Sequence, residues 1–267
     1  MTILDEILAH KRDEVAAARQ TVALEVLEEQ ARRSPPPRNF RESLAQPGIG
    51  VIAEIKQRSP SAGVLREMVN PAEIARRYQI FGARAISVVT DRRFFGGEPE
   101  FLPAVRAAVS IPVLRKDFLI DEYQVYESRA LGADAVLLIV SALAGTALRK
   151  LIALTAALAM PALVEVHTEA EVDQALEADA ELIGINNRDL ATFQVDLGTT
   201  ERLRPRIPRG VFVVSESGIE TPGDVVRVCR AGADAILVGT ALMAHRDPAA
   251  HLRALRLAAE QTGGMVS

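Results

Sequence analysis

The sequence predicts an α/β fold, a (βα)8 (TIM) barrel carrying an N-terminal helical extension. Three observations lead there. Eight short apolar runs rich in β-branched residues recur from Val51 onward, amphipathic segments with helical spacing lie between them, and look-alike joints enter every second run. Short apolar runs alternating with helices make βα units and a parallel sheet. A doubly wound open sheet is the alternative arrangement of the same units.

The chain begins with ILDEILAHKRDEVAAAR, whose Ile3, Ile7, Leu8 and Val15 share one side of a helix. Ser34-Pro35-Pro36-Pro37 ends whatever precedes it, FRESL from Phe40 adds a further helical turn or two, and Pro47-Gly48 leads into the first run. Residues 1–48 are expected to form an extension too short to be a domain, and residues 49–267 the barrel. The runs are VIAEIK from Val51, AISVVT from Ala85, IPVLRK from Ile111, AVLLIV from Ala135, ALVEV from Ala162, ELIGIN from Glu181, VFVVSES from Val211 and AILVGT from Ala235. All eight lie between Val51 and Thr240, so the extension is expected to be dispensable for ring closure.

Segments such as PAEIARRYQIFG from Pro71 and TPGDVVRVCRAG from Thr221 start near Pro and end in Gly, the polarity of helix starts and stops. Gly82-Ala83, Gly132-Ala133-Asp134 and Gly232-Ala233-Asp234 each enter an apolar run, and Ala178-Asp179-Ala180 is a degenerate fourth copy. The glycine would take the left-handed position that ends a helix. These joints precede the second, fourth, sixth and eighth runs, which favours a closed ring.

Composition narrows the function. With 49% hydrophobic and 25% charged residues, the 267-residue chain has ample material for a core, so disorder and a disulfide scaffold are excluded. No apolar stretch is long enough to span a membrane, and the acidic N-terminus lacks a signal peptide's apolar region. The lone Cys229, read as a core residue, fits a reducing cytoplasm. A net charge of −4 without a basic stripe, and no Trp, argues against nucleic-acid binding. Of 31 cations only four are lysines: Lys11, Lys56, Lys116 and Lys150. A lysine amine releases a proton at accessible pH and a guanidinium practically does not, so retained lysines are candidates for proton chemistry.

Barrel active sites lie at the C-terminal ends of the strands. There the runs present Glu54 and Lys56, two apart and so on one face, then Lys116, Glu165, Asn186 with Asn187 and Arg188, and Ser215-Glu216-Ser217-Gly218. Amines and carboxylates in one cup suit acid–base chemistry. Internal salt bridges that merely satisfy the charges are the structural alternative. Ser217-Gly218 and Gly239-Thr240 on adjacent strand ends form the pattern in which barrels hold a substrate phosphate. Phe94 and Phe95 either line an aromatic pocket or pack their loop. His167 is read as a solvated or hydroxyl-bonded rim residue. No histidine pair has metal-ligand spacing, so no metal is expected, and without their motifs neither a dinucleotide nor ATP is implied.

The ordered set IAEIKQRSPSAG from Ile52, LRKDF from Leu114, LVEVHT from Leu163, IGINNRDL from Ile183 and SESGI from Ser215 resembles indole-3-glycerol phosphate synthases, with ILAHKRDEV and VGTALM extending the likeness to both ends. The resemblance implies a cofactor-free lyase of tryptophan biosynthesis. Such an enzyme converts 1-(2-carboxyphenylamino)-1-deoxyribulose 5-phosphate to indole-3-glycerol phosphate with loss of CO2 and water. It implies Lys116 as general acid at the substrate's C2′ oxygen and Glu54 and Glu165 as the carboxylates of proton removal and cation stabilisation. Lys56 is placed near the substrate carboxylate and the dehydration step, and Asn186 beside the reacting carbonyl, with Ser217 also in the catalytic set.

Ser59, Gly218, Gly239 and Thr240, with Ser217, match phosphate and rim contacts. Phe95, Phe118, Leu137, Arg188 and Leu190 match the pocket wall, and Glu216 joins the binding set. Relatives lay their N-terminal extension across the catalytic mouth, so the same is expected here, with a clamp on the barrel's outer wall or bottom as the alternative. Ala62 stands where many relatives have a second lysine. The expected partner is a small phosphorylated molecule, with no nucleic acid and no membrane, and the chain itself is expected to be a monomer or weak homo-oligomer. Another phosphosugar barrel enzyme, such as phosphoribosylanthranilate isomerase, and a non-catalytic scaffold are the competing readings.

Overall fold

A computed structural model describes residues 2–59, 63–65, 70–143, 145–190 and 192–260. The departure at Ala62 lies outside the described residues. Eight parallel strands form one ring: β1 (Gly50–Ile55), β2 (Ala85–Val89), β3 (Val113–Lys116), β4 (Ala135–Ile139), β5 (Ala162–Val166), β6 (Leu182–Asn186), β7 (Phe212–Glu216) and β8 (Ala235–Val238). Gly50 beside Ala235 and Ile52 beside Leu237 join β1 to β8. That closure excludes the open sheet.

Helices α1 (Ile3–Thr21), α2 (Leu24–Arg33) and α3 (Phe40–Leu44) precede the ring. The chain returns between strands through α4 (Pro71–Ile80), α5 (Phe101–Ala108), α6 (Glu122–Ala130), α7 (Gly145–Ala157), α8 (Glu169–Glu177), α9 (Gly198–Leu203) and α10 (Pro222–Arg230). Beyond β8 lie α11 (Thr240–Ala244) and α12 (Pro248–Glu260). None of the described helices is long and apolar enough to cross a membrane.

The repeated joints do one job. Gly82, Gly132 and Gly232 sit at φ of 98°, 88° and 95°, and in the degenerate copy Asp179 takes φ 61° in place of glycine. The aspartate of the joint has its own task. Asp134 and Asp234 each accept a 2.8 Å hydrogen bond from the start of the preceding strand, the N–H groups of Val113 and Val213.

Strand alternation then decides what the barrel encloses. Ile52, Leu114, Leu163, Leu182, Val214 and Leu237 fill the interior with Ala85, Ala135 and Leu137. The intervening residues, such as Val51, Ala53, Ile86 and Val136, pack outward against the helices. Continuing each inward column toward the C-terminal end gives Glu54 above Ile52, Lys116 above Leu114, Glu165 above Leu163, Asn186 above Gly184, and Glu216 above Val214. The apolar floor and the charged cup are successive layers of the same columns.

The extension divides between three surfaces. The Lys11 ammonium of α1 reaches Asp91 and Asp117, just past the ends of β2 and β3, so α1 lies against the catalytic rim. Val15 of α1, Leu27 of α2 and Tyr123 of α6 share an outer cluster, where the Tyr123 hydroxyl donates to the Ala18 and Val22 carbonyls. Phe40 and Leu44 of α3, both fully buried, belong to the barrel's interior cluster. The Ser43 hydroxyl donates to the Arg84 carbonyl, just before β2, which fixes α3 at the N-terminal end. The ring closes through its own eight strands, as expected, but α3 forms the barrel's floor. Ring closure alone leaves that end open, and two large apolar side chains fill it, each stabilising by roughly 1.5–3 kcal/mol.

Candidate active site

The residues that the family resemblance assigns to catalysis and binding line one cavity at the C-terminal mouth. It brings together Glu54, Lys56, Ser59, Phe95, Lys116, Phe118, Leu137, Glu165, Asn186, Arg188, Leu190, Glu216, Ser217, Gly218, Gly239 and Thr240. Asp91 and Asp117 line it too. Three of the four lysines gather at this rim, and Lys150 is exposed on α7.

Lys116 is central. Its ammonium lies 3.1 Å from Glu165 Oε2 and 3.3 Å from Glu216 Oε2. Burial opposes the charge, but Glu165, Glu216 and Glu54 outweigh it and hold the amine well above its ordinary value. Lys116 is thus an ammonium at neutral pH, with a proton to give. The other oxygen of Glu165 is braced as well: Asn186 donates to Oε1 at 3.1 Å, and His167 Nε2 lies 3.3 Å from it. Burial pushes the Glu165 carboxyl upward, but Lys116, His167 and Asn186 hold it below the usual carboxylate range.

Glu216 differs. Burial, with the nearby Glu165 and Glu54 charges, outweighs Lys116 and pushes its carboxyl up to about 7. The family resemblance assigns Glu216 to binding. Its placement between Lys116 and the β6 backbone makes it the third carboxylate of the cup. Glu54 is balanced separately, because its Oε1 pairs with Lys56 Nζ at 2.8 Å.

Two glycines create the room. A Cβ on Gly184 would overlap Glu216 Oε1, and a Cβ on Gly239 would overlap Glu54 Oε1. Gly239, expected from the sequence as a phosphate contact, therefore first makes space for the carboxylate of β1. Ser217 and Gly218 are both left-handed, at φ 65° and 75°; a non-glycine residue in that region is strained, and such strain concentrates at functional sites. Asn187 holds this turn by donating to the Glu216 and Ser217 carbonyls at 2.9 and 3.1 Å.

The aromatic end belongs to Phe95 and Phe118, whose ring centroids are 6.0 Å apart. Phe94 turns away and meets His10 of α1 edge-on. His167 is not a solvated ring. Its Nδ1 lies 3.1 Å from Glu171 Oε2, and Glu165 and Glu171 together overcome burial to raise its imidazole to about 10. The signal for His167 is its place two residues beyond Glu165, on the same alternation. Among the described residues no cluster of His, Cys, Asp or Glu is arranged to hold a metal ion.

The family model described as indole-3-glycerol phosphate synthase matches residues 4–255. The chain belongs to the indole-3-glycerol phosphate synthase family. A synthase of that name from Mycobacterium sp. (strain KMS) is 51% identical over 247 residues, covering 92% of this chain and 91% of the relative. One from Kineococcus radiotolerans is 51% identical over 253 residues, covering 93% and 92%. Among solved structures, a 3-hexulose-6-phosphate synthase superposes with a TM-score of 0.63 at 19% identity, covering 79% of this chain and 99% of that one. The thiamine phosphate pyrophosphorylase of Pyrococcus furiosus gives 0.59 at 19%, covering 84% and 98%. At those identities the likeness to these two is one of fold.

Proposed function

We propose that this member of the synthase family converts 1-(2-carboxyphenylamino)-1-deoxyribulose 5-phosphate to indole-3-glycerol phosphate, releasing CO2 and water, in tryptophan biosynthesis. The observation that carries the reading is the Lys116 ammonium held between Glu165 and Glu216 in a cavity walled by Phe95 and Phe118. Ring closure needs a proton at the C2′ carbonyl oxygen while an aryl carbon attacks the C2′ carbon. Lys116 supplies that proton, and Asn186 orients the groups around the carbonyl.

Attack leaves positive charge on the ring system, which Glu165 and Glu54 stabilise until CO2 departs. Loss of the C2′ hydroxyl as water, with a carboxylate of the cup taking a proton from C1′, then restores the aromatic indole. Lys56, placed beside the carboxylate of the bound substrate, also assists the later departure of the hydroxyl. Glu216, titrating near neutrality, suits proton acceptance. The Ser217–Gly218 turn and the Gly239–Thr240 junction, with Ser59, seat the phosphate, whose binding holds the reacting atoms in place. Arg188, Leu190 and Leu137 complete the wall.

The test is a turnover assay on the purified chain with a chelator present and no cofactor added, followed by indole absorbance. Product formation is expected. An unchanged substrate would overturn the reading.

A further inference from the structure

Lys11 lies outside the reaction just described, yet it is among the most deeply buried charges of the molecule, only 3% exposed. An ammonium so removed from water costs several kcal/mol unless it is closely paired. Its Nζ is 2.9 Å from Asp91 Oδ2, 2.9 Å from Asp117 Oδ1 and 2.7 Å from Glu14 Oε2. Three carboxylates are more than a staple for α1 requires.

What the two aspartates do with their remaining capacity gives the pairing a purpose. Asp91 Oδ1 accepts from the backbone N–H groups of Phe94 and Phe95 at 2.7 and 3.1 Å. Asp117 Oδ1 accepts from the Phe118 N–H at 2.8 Å, while its Oδ2 is tied to Thr90 and Arg115. One cation thus joins two loops, each through an aspartate bound to the backbone of an aromatic wall residue. Without it, Asp91 and Asp117 face each other as like charges, with Arg115 left to balance Asp117.

We propose that Lys11 is a positioning residue that sets the spacing of Phe95 and Phe118 through Asp91 and Asp117, and thereby the seat of the substrate's aryl ring. This rests on the reading that the Phe95–Phe118 end takes the aryl ring and the Ser217–Gly218 end the phosphate. Lys116 adjoins Asp117 but has its own anchors in Glu165 and Glu216, so loss of Lys11 disturbs binding more than chemistry.

The experiment compares wild type, Lys11→Met and Asp91→Asn, with 2-(methylamino)benzoate as probe of the aryl end and inorganic phosphate as probe of the other. In Lys11→Met, KM for the anilino sugar phosphate rises about tenfold or more and kcat falls by less. Inhibition by the benzoate weakens in step, while inhibition by phosphate stays within about twofold of wild type. Equal weakening of both probes, or of neither, makes Lys11 a fold staple and overturns the proposal. If Lys11→Met does not fold, Asp91→Asn decides: it keeps an acceptor for the Phe95 N–H but loses the pull of Lys11, so the benzoate must weaken and phosphate must not. A wild type that fails to turn over the substrate counts against the proposed reaction; a variant without the split counts only against Lys11.

Discussion

Gly184 on β6 faces Glu216 on β7 so closely that any Cβ at residue 184 would overlap Glu216 Oε1. The missing methyl is what lets a carboxylate settle deep in the cup beside Lys116. Gly184→Ala is expected to displace that carboxylate and lower kcat by about 10²-fold, the low end of the usual acid–base contribution, in a protein still folded by circular dichroism. Wild-type turnover in the alanine variant would show that the position of Glu216 does not matter.

Lys116 separates charge from proton supply. Lys116→Met should lose roughly 10²–10⁴-fold in kcat, and Lys116→Arg nearly as much, because a guanidinium keeps the charge but holds its proton. An arginine variant near wild type would mean that charge alone suffices.

His167 links the site to pH. Its imidazole is raised to about 10 from an ordinary 6.5, so the charged form is favoured by folding. The stabilisation is present in full below pH 6.5 and is lost as pH rises through about 10. The melting-temperature difference between wild type and His167→Gln should therefore be largest near the lower of those values and shrink steadily toward the upper. A difference that stays flat across that range would remove the Glu165–His167–Glu171 pairing as its cause.

The phosphate seat is testable apart from catalysis. Inorganic phosphate should compete with substrate and raise the melting temperature with concentration, by linkage to the folded state. Thr240→Val should weaken both effects. Gly239→Asp, the obvious choice from sequence, is a poor probe because its side chain would collide with Glu54. Phosphate effects unchanged in Thr240→Val would place the anion elsewhere.

Truncation separates the parts of the extension. A chain starting at residue 35 loses α1 and α2 but keeps α3, and should fold with reduced stability and a raised KM. A chain starting at Pro47 also loses Phe40 and Leu44, each worth roughly 1.5–3 kcal/mol of burial, and should not fold cooperatively. Equal melting temperatures for the two would refute the role of α3.

Much of this is legible in the sequence because it is local. The apolar runs, the left-handed Gly82, Gly132 and Gly232, and even the degenerate Asp179 are decided by neighbours in sequence. So is the inward alternation that puts Glu54, Lys116 and Glu165 in one layer. Lys11 against Asp117, Phe40 against the barrel interior, and Gly184 against Glu216 are not legible there. Each depends on which strands become neighbours or which end a helix covers, and periodicity carries no signal for that. Lysine scarcity marks Lys11 without saying what it meets.

The floor supplied by α3 also sets the order in which the molecule can be completed. Phe40 and Leu44 leave the ribosome before any strand of the ring, yet their interior cluster includes Ala235 and Leu237 from the last strand. These early-made apolar side chains must therefore wait until nearly the whole chain exists before their site is complete. Contacts spanning such a separation make for slow folding, and a waiting Phe40 is exposed apolar surface in the nascent chain. The final event of assembly is expected to be the seating of a segment from the beginning of the chain.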